Sequence, residues 1–108
     1  MRRPEKLKVL GKPYTVHYVN GEPLCEDEMG ECDDGRQSLY IRDGQPLGNE
    51  QDTVLHEIIH AIDEQMQIRL KEDQVRRLAT GLLAVLKDNP RLATYLKYKG
   101  QNAYPAPV

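Results

Sequence analysis

At 108 residues, with 39% hydrophobic and 30% charged side chains, the chain has the material for one domain built on one modest core. A formal net charge of −2 excludes the global basic field through which proteins hold nucleic acid. No apolar run approaches the ~18 residues of a membrane span, and Met1-Arg2-Arg3-Pro4 leads into no apolar stretch of the kind a signal peptide carries, so a cytoplasmic, membrane-free location is expected.

The first predicted elements are two β-strands, Leu7 to Leu10 and Tyr14 to Val19, separated by the turn residues Gly11-Lys12-Pro13. In the second, Tyr14, Val16 and Tyr18 share one face, and Thr15, His17 and Val19 share the other. Residues 20–35 read as a long loop with a solvated acidic run, Glu26-Asp27-Glu28, and room for a short strand around Glu31 to Asp33. The spaced acids and closing Glu of an EF-hand are absent. Cys25 and Cys32 fit no common zinc-knuckle spacing and are expected to be free thiols. A third strand, Gln37 to Arg42, puts Leu39 and Ile41 on one face, and Asp43-Gly44-Gln45-Pro46 ends it.

Asn49 to Met66 reads as a helix, with Asn49 as N-cap and acidic Glu50 and Asp52 in the first turn. Its apolar stripe is Val54, Leu55, Ile58, Ile59, Ile62 and Met66. Within the helix runs His56-Glu57-Ile58-Ile59-His60, an H-E-x-x-H motif that holds two of the chain's three histidines, both off that stripe. Positions four apart on a helix lie one turn apart on one face, so His56 and His60 can offer two imidazoles to one ion. Glu57 beside them is placed to act as a general base toward water at that ion. The plainer alternative is a pair of surface histidines on an amphipathic helix.

After the connector Gln67 to Lys71, a second helix is expected from about Glu72 to Lys87, with Val75, Leu78, Ala79, Leu82, Leu83, Val85 and Leu86 as its stripe. Gly81 inside it would allow close approach to the first helix. Asn89-Pro90 opens a short third helix through Leu92, Tyr95 and Leu96, and the tail from Gln101 to Val108 is expected to be loose.

A catalytic zinc takes three protein ligands and one water. Asp63 shares the histidine face but lies about 10 Å along the axis from His56, too far for one ion, and Glu64 lies further still. Asp63 is either a carboxylate steadying the other ring nitrogen of His60 or a surface acid. The start of the second helix remains, with Glu72 the first choice of third ligand and Asp73 the next; an acid there also suits the helix dipole with no metal at all. A first helix ending at Met66 climbs about 9 Å past His60, and a five-residue connector spans about 16 Å, so the return is tight.

The motif followed by a Glu on a second helix resembles the gluzincin clan, and the small size with strands ahead of the helix resembles minigluzincins. The stretches Thr53 to Asp63 and Glu72 to Leu82 together resemble small phage and prophage metallopeptidases. The second stretch is also similar to the glutamate helix of the ImmA/IrrE metallopeptidases, with Val75, Leu78 and Ala79 at the apolar positions; Arg76 stands where such families often carry Asn or Asp. The resemblance covers about a third of the chain strongly. It implies a zincin-like α+β fold: a small antiparallel sheet of about three strands, the H-E-x-x-H helix, a glutamate helix and a short C-terminal helix, in one domain spanning 1–108. It also implies zinc on His56, His60 and Glu72, with Glu57 as the base, hydrolysis of a protein or peptide substrate, and a phage or bacterial source.

Tyr40, His17, Tyr95 and Tyr98 are candidate donors to the oxyanion, and strand 37–42 is a candidate edge for an extended substrate. Two rival functions are a zinc-binding interaction module without peptidase activity and a small helical interaction protein with no metal.

Overall fold

The computed structural model describes residues 2–100 and 103. Four strands precede three helices: β1 (Lys6–Val9), β2 (Lys12–Val19), β3 (Gly30–Asp33), β4 (Ser38–Arg42), α1 (Leu47–Met66), α2 (Glu72–Asp88) and α3 (Leu92–Lys97). The class is α+β, as expected. Of the tail read as loose, only Ala103 lies among the described residues. No helix among them is long and apolar enough to cross a membrane.

Leu10 (φ 53°) and Gly11 (φ 81°) both occupy the left-handed region between β1 and β2. Two successive positive φ values match the twist of the flanking strands, so a two-residue turn closes this hairpin with Val9 opposite Lys12. The turn thus falls one residue earlier than Gly11-Lys12-Pro13, and Lys12 and Pro13 belong to β2.

The expected three-stranded antiparallel sheet is corrected on two counts. The short segment Gly30–Asp33 is a full member, giving the order β1-β2-β4-β3, and β2 pairs with β4 in parallel. β4 therefore lies inside the sheet, and β3, not strand 37–42, is the edge on this side. Because β3 and β4 form a tight hairpin whose strands meet at Asp33 and Ser38, the pairing of β4 with β2 leaves β3 outermost.

One face of the sheet is buried under α1. Tyr14, Val16, Leu39 and Ile41 are almost fully buried there with Ala61, and Val54, Ile58 and Ile62 pack against them. Leu55 and Ile59, further round α1, join Val75 and Ala79 of α2 and Leu70 of the connector in a second cluster. The single stripe read from the sequence thus serves two partners. Ala61 and Ala79 are fully buried and keep the layers close. Gly81 does not: a Cβ there would meet nothing within 4 Å, so it faces open space.

α1 begins at Leu47 after Pro46, two residues ahead of the expected N-cap Asn49. It ends at Met66, where Gln67 turns left-handed (φ 52°), and Arg69 does so again (φ 66°). Those two reversals bring the chain back on itself, so that α2 starts at Glu72 against the same helix.

Candidate metal centre

Each α1 residue turns the helix by about 100°, which separates its faces. Val54, Ile58 and Ala61 meet the sheet, and Leu55 and Ile59 meet α2. His56 and His60 lie on the side left between those contacts, and Glu57 falls between the histidines and the sheet. The two imidazoles are half-buried, and their Nε2 atoms stand 3.2 Å apart.

Glu72, the first residue of α2, closes the triangle. Its Oε1 is 2.6 Å from His56 Nε2 and its Oε2 is 2.9 Å from His60 Nε2. Asp73 is turned away and pairs with Arg76 and with Arg77. Glu64 is exposed and makes no contact with the triad, although it lines the neighbouring hollow.

The tight return is solved by Asp63. Its Oδ1 accepts the Arg69 N–H at 2.7 Å and its Oδ2 accepts the Leu70 N–H at 3.1 Å. Both readings of Asp63, as a support for His60 or as a plain surface acid, are therefore replaced: it clamps the connector. The Lys71 N–H then donates to Gln74 Oε1 at 2.8 Å, fixing the start of α2.

The donor chemistry fits a cation. A ring nitrogen offers one proton or one lone pair, yet each Nε2 faces both the other imidazole and a Glu72 oxygen. Hydrogen bonds alone leave part of this set unsatisfied, whereas a shared cation satisfies all of it. Ligands about 2.05 Å from a tetrahedral zinc lie about 3.3 Å from one another. The 3.2 Å between the nitrogens is close to that edge, the Glu72 oxygens stand nearer, at 2.6 and 2.9 Å from them, and the ligand atoms fall within 4.8 Å of one another. Among the described residues His56, His60 and Glu72 form the one group able to hold a metal.

Glu57 is 5% exposed and its carboxylate has no hydrogen-bond partner among the described residues. Burial, then the charges of Glu72, Glu28 and Glu31, push its carboxyl up to about 8. A dication on the adjacent triad acts in the opposite direction and favours the carboxylate.

Gly30 of β3 passes directly over it. A Cβ at this position would lie 2.7 Å from Thr53 Cγ2 and 2.8 Å from Glu57 Oε2, so only glycine lets the strand come this close. The Arg42 N–H donates to Met29 O at 2.8 Å, one residue before Gly30 pairs with Ile41. Bonded pairs alternate along an antiparallel ladder, so the N–H and C=O of Gly30 and Cys32 point away from β4 toward the open edge.

Two hollows flank the centre, sharing Glu28, Gly30, Glu57 and Glu72. One, of about 350 Å³, lies on the His60 side; the other, of about 250 Å³, lies on the His56 side. Neither is lined by His17, Tyr40, Tyr95 or Tyr98, the expected oxyanion donors. His17 and Tyr40 instead stack on one another with centroids 5.0 Å apart, at positions that alternate with those facing α1. Sequence reasoning missed the β3 side of the centre, Gly30 and Glu28 above all. The loop before it is held by Arg42, whose guanidinium donates to the carbonyls of Glu28 and Cys25, each at 2.7 Å.

No protein-family model, curated protein or solved structure matches the chain.

Proposed function

We propose that the chain is a zinc-dependent peptidase of the zincin type, with His56, His60 and Glu72 as ligands and Glu57 as general base. One observation carries the reading: three metal-ligating side chains converge beside a buried carboxylate that has no partner of its own. A ligand set of two imidazoles and one carboxylate suits zinc and leaves room for a fourth position. A zinc ion there would supply Lewis-acid activation of water and of a carbonyl.

The chain's own groups do the remainder. Glu57 takes the proton of the attacking water and hands it to the leaving amine nitrogen, a task that needs a carboxylate free of other bonds. The outward N–H and C=O groups of Gly30 and Cys32 offer an extended peptide a backbone ladder, which lays its carbonyls along the centre. A site that merely held a metal would need neither the free base nor the open edge.

The test pairs two measurements on wild type and Glu57→Gln: zinc per chain by elemental analysis, and cleavage of a mixed peptide pool followed by mass spectrometry. Both proteins are expected to bind one zinc, and only wild type to cleave efficiently. Zinc bound by both with no cleavage by either makes the chain a zinc-binding interaction module. Absence of zinc from wild type removes the centre altogether.

A further inference from the structure

α2 carries its apolar surface past the point where α1 can cover it. Val75 and Ala79 are fully buried and pack with Leu55 and Ile59, and the Thr80 hydroxyl reaches Asp52 at 3.2 Å. Toward its own start α1 then has only Gly48, Asn49, Glu50, Gln51 and Asp52 to offer. Leu78, Leu82, Val85 and Leu86 remain 45%, 47%, 47% and 36% exposed. At helical period these four share an arc of about 100°. Gly81 adjoins that arc and faces open space, and Ala84 beyond it is exposed as well. From Leu78 to Leu86 the chain has no charged side chain. A helix that is apolar or small all round is stable against another apolar surface, not against water.

The charges at the two ends of this stretch select its occupant. Arg77 precedes it and Asp88 follows it, and helical period sets both on one flank of the exposed face, within about 20° of each other. Arg77 holds Asp73 through Nε at 3.0 Å, and Asp88 has no ion pair among the described residues. We propose that this face of α2 pairs with α2 of a second copy of the chain, antiparallel about a two-fold axis level with Leu82. Such an axis lays each flank beside the same flank of the other copy. Arg77 of each copy then stands level with Asp88 of the other, twice over, while Leu78 meets Leu86 and Leu82 meets its own equivalent. A parallel pair would instead set Arg77 against Arg77 and Asp88 against Asp88. Gly81 lets the two backbones come close. A hollow of about 380 Å³ between Leu70, Gln74, Arg77 and Leu78 opens on the same flank, level with the end of α2 in the other copy. Buried from both copies, this surface amounts to roughly 1,000 Å², the low end for a specific interface, which makes a reversible dimer. The pairing does not depend on the metal centre or on peptidase activity.

The experiment is sedimentation velocity on the full chain from about 5 to 500 μM, the range in which an interface of this size associates. Wild type is expected to pass from monomer to dimer across it. Arg77→Glu alone and Asp88→Lys alone each set like charges opposite one another twice, and each is expected to weaken the dimer about tenfold. The two together exchange the charges and are expected to restore the dimer to within about threefold of wild type. Leu82→Gln, at the axis, is expected to weaken it about tenfold or more. Arg36→Glu makes the same charge change in the β3–β4 turn and is expected to leave it unaltered. Thermal melting checks that each variant folds, and rescue by the charge exchange cannot come from a folding defect. A monomer at every concentration overturns the pairing and leaves the face to another partner. A dimer indifferent to Leu82→Gln, or a charge exchange that fails to restore association, overturns it as well.

Discussion

Gly30 and Glu57 stand so close that a methyl group on residue 30 would lie 2.8 Å from Glu57 Oε2. The edge strand and the base therefore share one small space, and glycine keeps it open. Gly30→Ala should push Glu57 aside and meet the Thr53 methyl at 2.7 Å. Overpacking of this kind costs about 1–3 kcal/mol, and thermal melting of the variant should show it. Thr53→Ser removes the obstructing methyl, so the double variant should recover part of the lost stability while activity stays low. A Gly30→Ala protein as stable and as active as wild type would contradict this geometry.

Removal of a ligand should act on the metal before it acts on the fold. His60→Ala is expected to bring zinc well below one per chain. Glu72→Gln keeps the shape but removes the anionic ligand, so it should weaken zinc and leave a partially loaded protein. Elemental analysis after dialysis separates the two from wild type. Stoichiometric zinc in His60→Ala would sink the triad as drawn.

Without metal, Glu57 should make the protein sensitive to pH. Its carboxyl titrates at about 8 in the fold against 4.5 ordinarily. Between those values the folded chain binds more protons than the unfolded one through this group, so its contribution to stability is fully present below about 4.5 and is lost as pH rises through 8. Urea midpoints of the metal-free protein should fall across that window from this group. Glu57→Gln, which cannot titrate, should flatten the profile, and an unchanged slope in the variant would show that the carboxyl ionises normally.

Asp63 should matter to the metal although it does not touch it. Two charge-assisted hydrogen bonds hold the connector, and Asp63→Ala removes both, at about 1.5–3 kcal/mol apiece at most. Asp63→Asn keeps one acceptor oxygen and should lose less. Zinc affinity should fall in the same order as melting temperature, because Glu72 loses its fixed position. A variant that melts early but binds zinc as wild type does would uncouple the clamp from the centre.

Much of this arrangement was legible in the sequence, and the limits have a physical cause. His56, Glu57 and His60 are a local pattern, fixed by helical period alone. No local pattern fixes Glu72, because the left-handed turns at Gln67 and Arg69 that return the chain leave no signature in a stretch without glycine. Asp63 was visible as an acid near the histidines, but its partners are backbone N–H groups, which any residue supplies. The strand Gly30–Asp33 reads in the sequence only as room for a short strand around Glu31 to Asp33 in an acidic loop, since four residues carry too little alternation to fix a place in a sheet. Its position at the edge, and the parallel seam between β2 and β4, are matters of tertiary pairing. Those decided which side of the centre is open.

The strand order also bears on how the chain reaches this state. β1 with β2, β3 with β4, and α1 with α2 are each neighbours along the chain and partners in space. The parallel seam of β2 with β4 and the docking of α1 on the sheet join more distant segments. Closing short loops is fast and inexpensive in entropy, and long-range pairing is slow. The three hairpins can therefore form early and independently, and the seam, where Val16 lies opposite Leu39, is the late event that unites them. Truncations at Val16 or Leu39 should accelerate unfolding more than they slow folding, whereas changes in the Leu10-Gly11 turn should act on the folding rate.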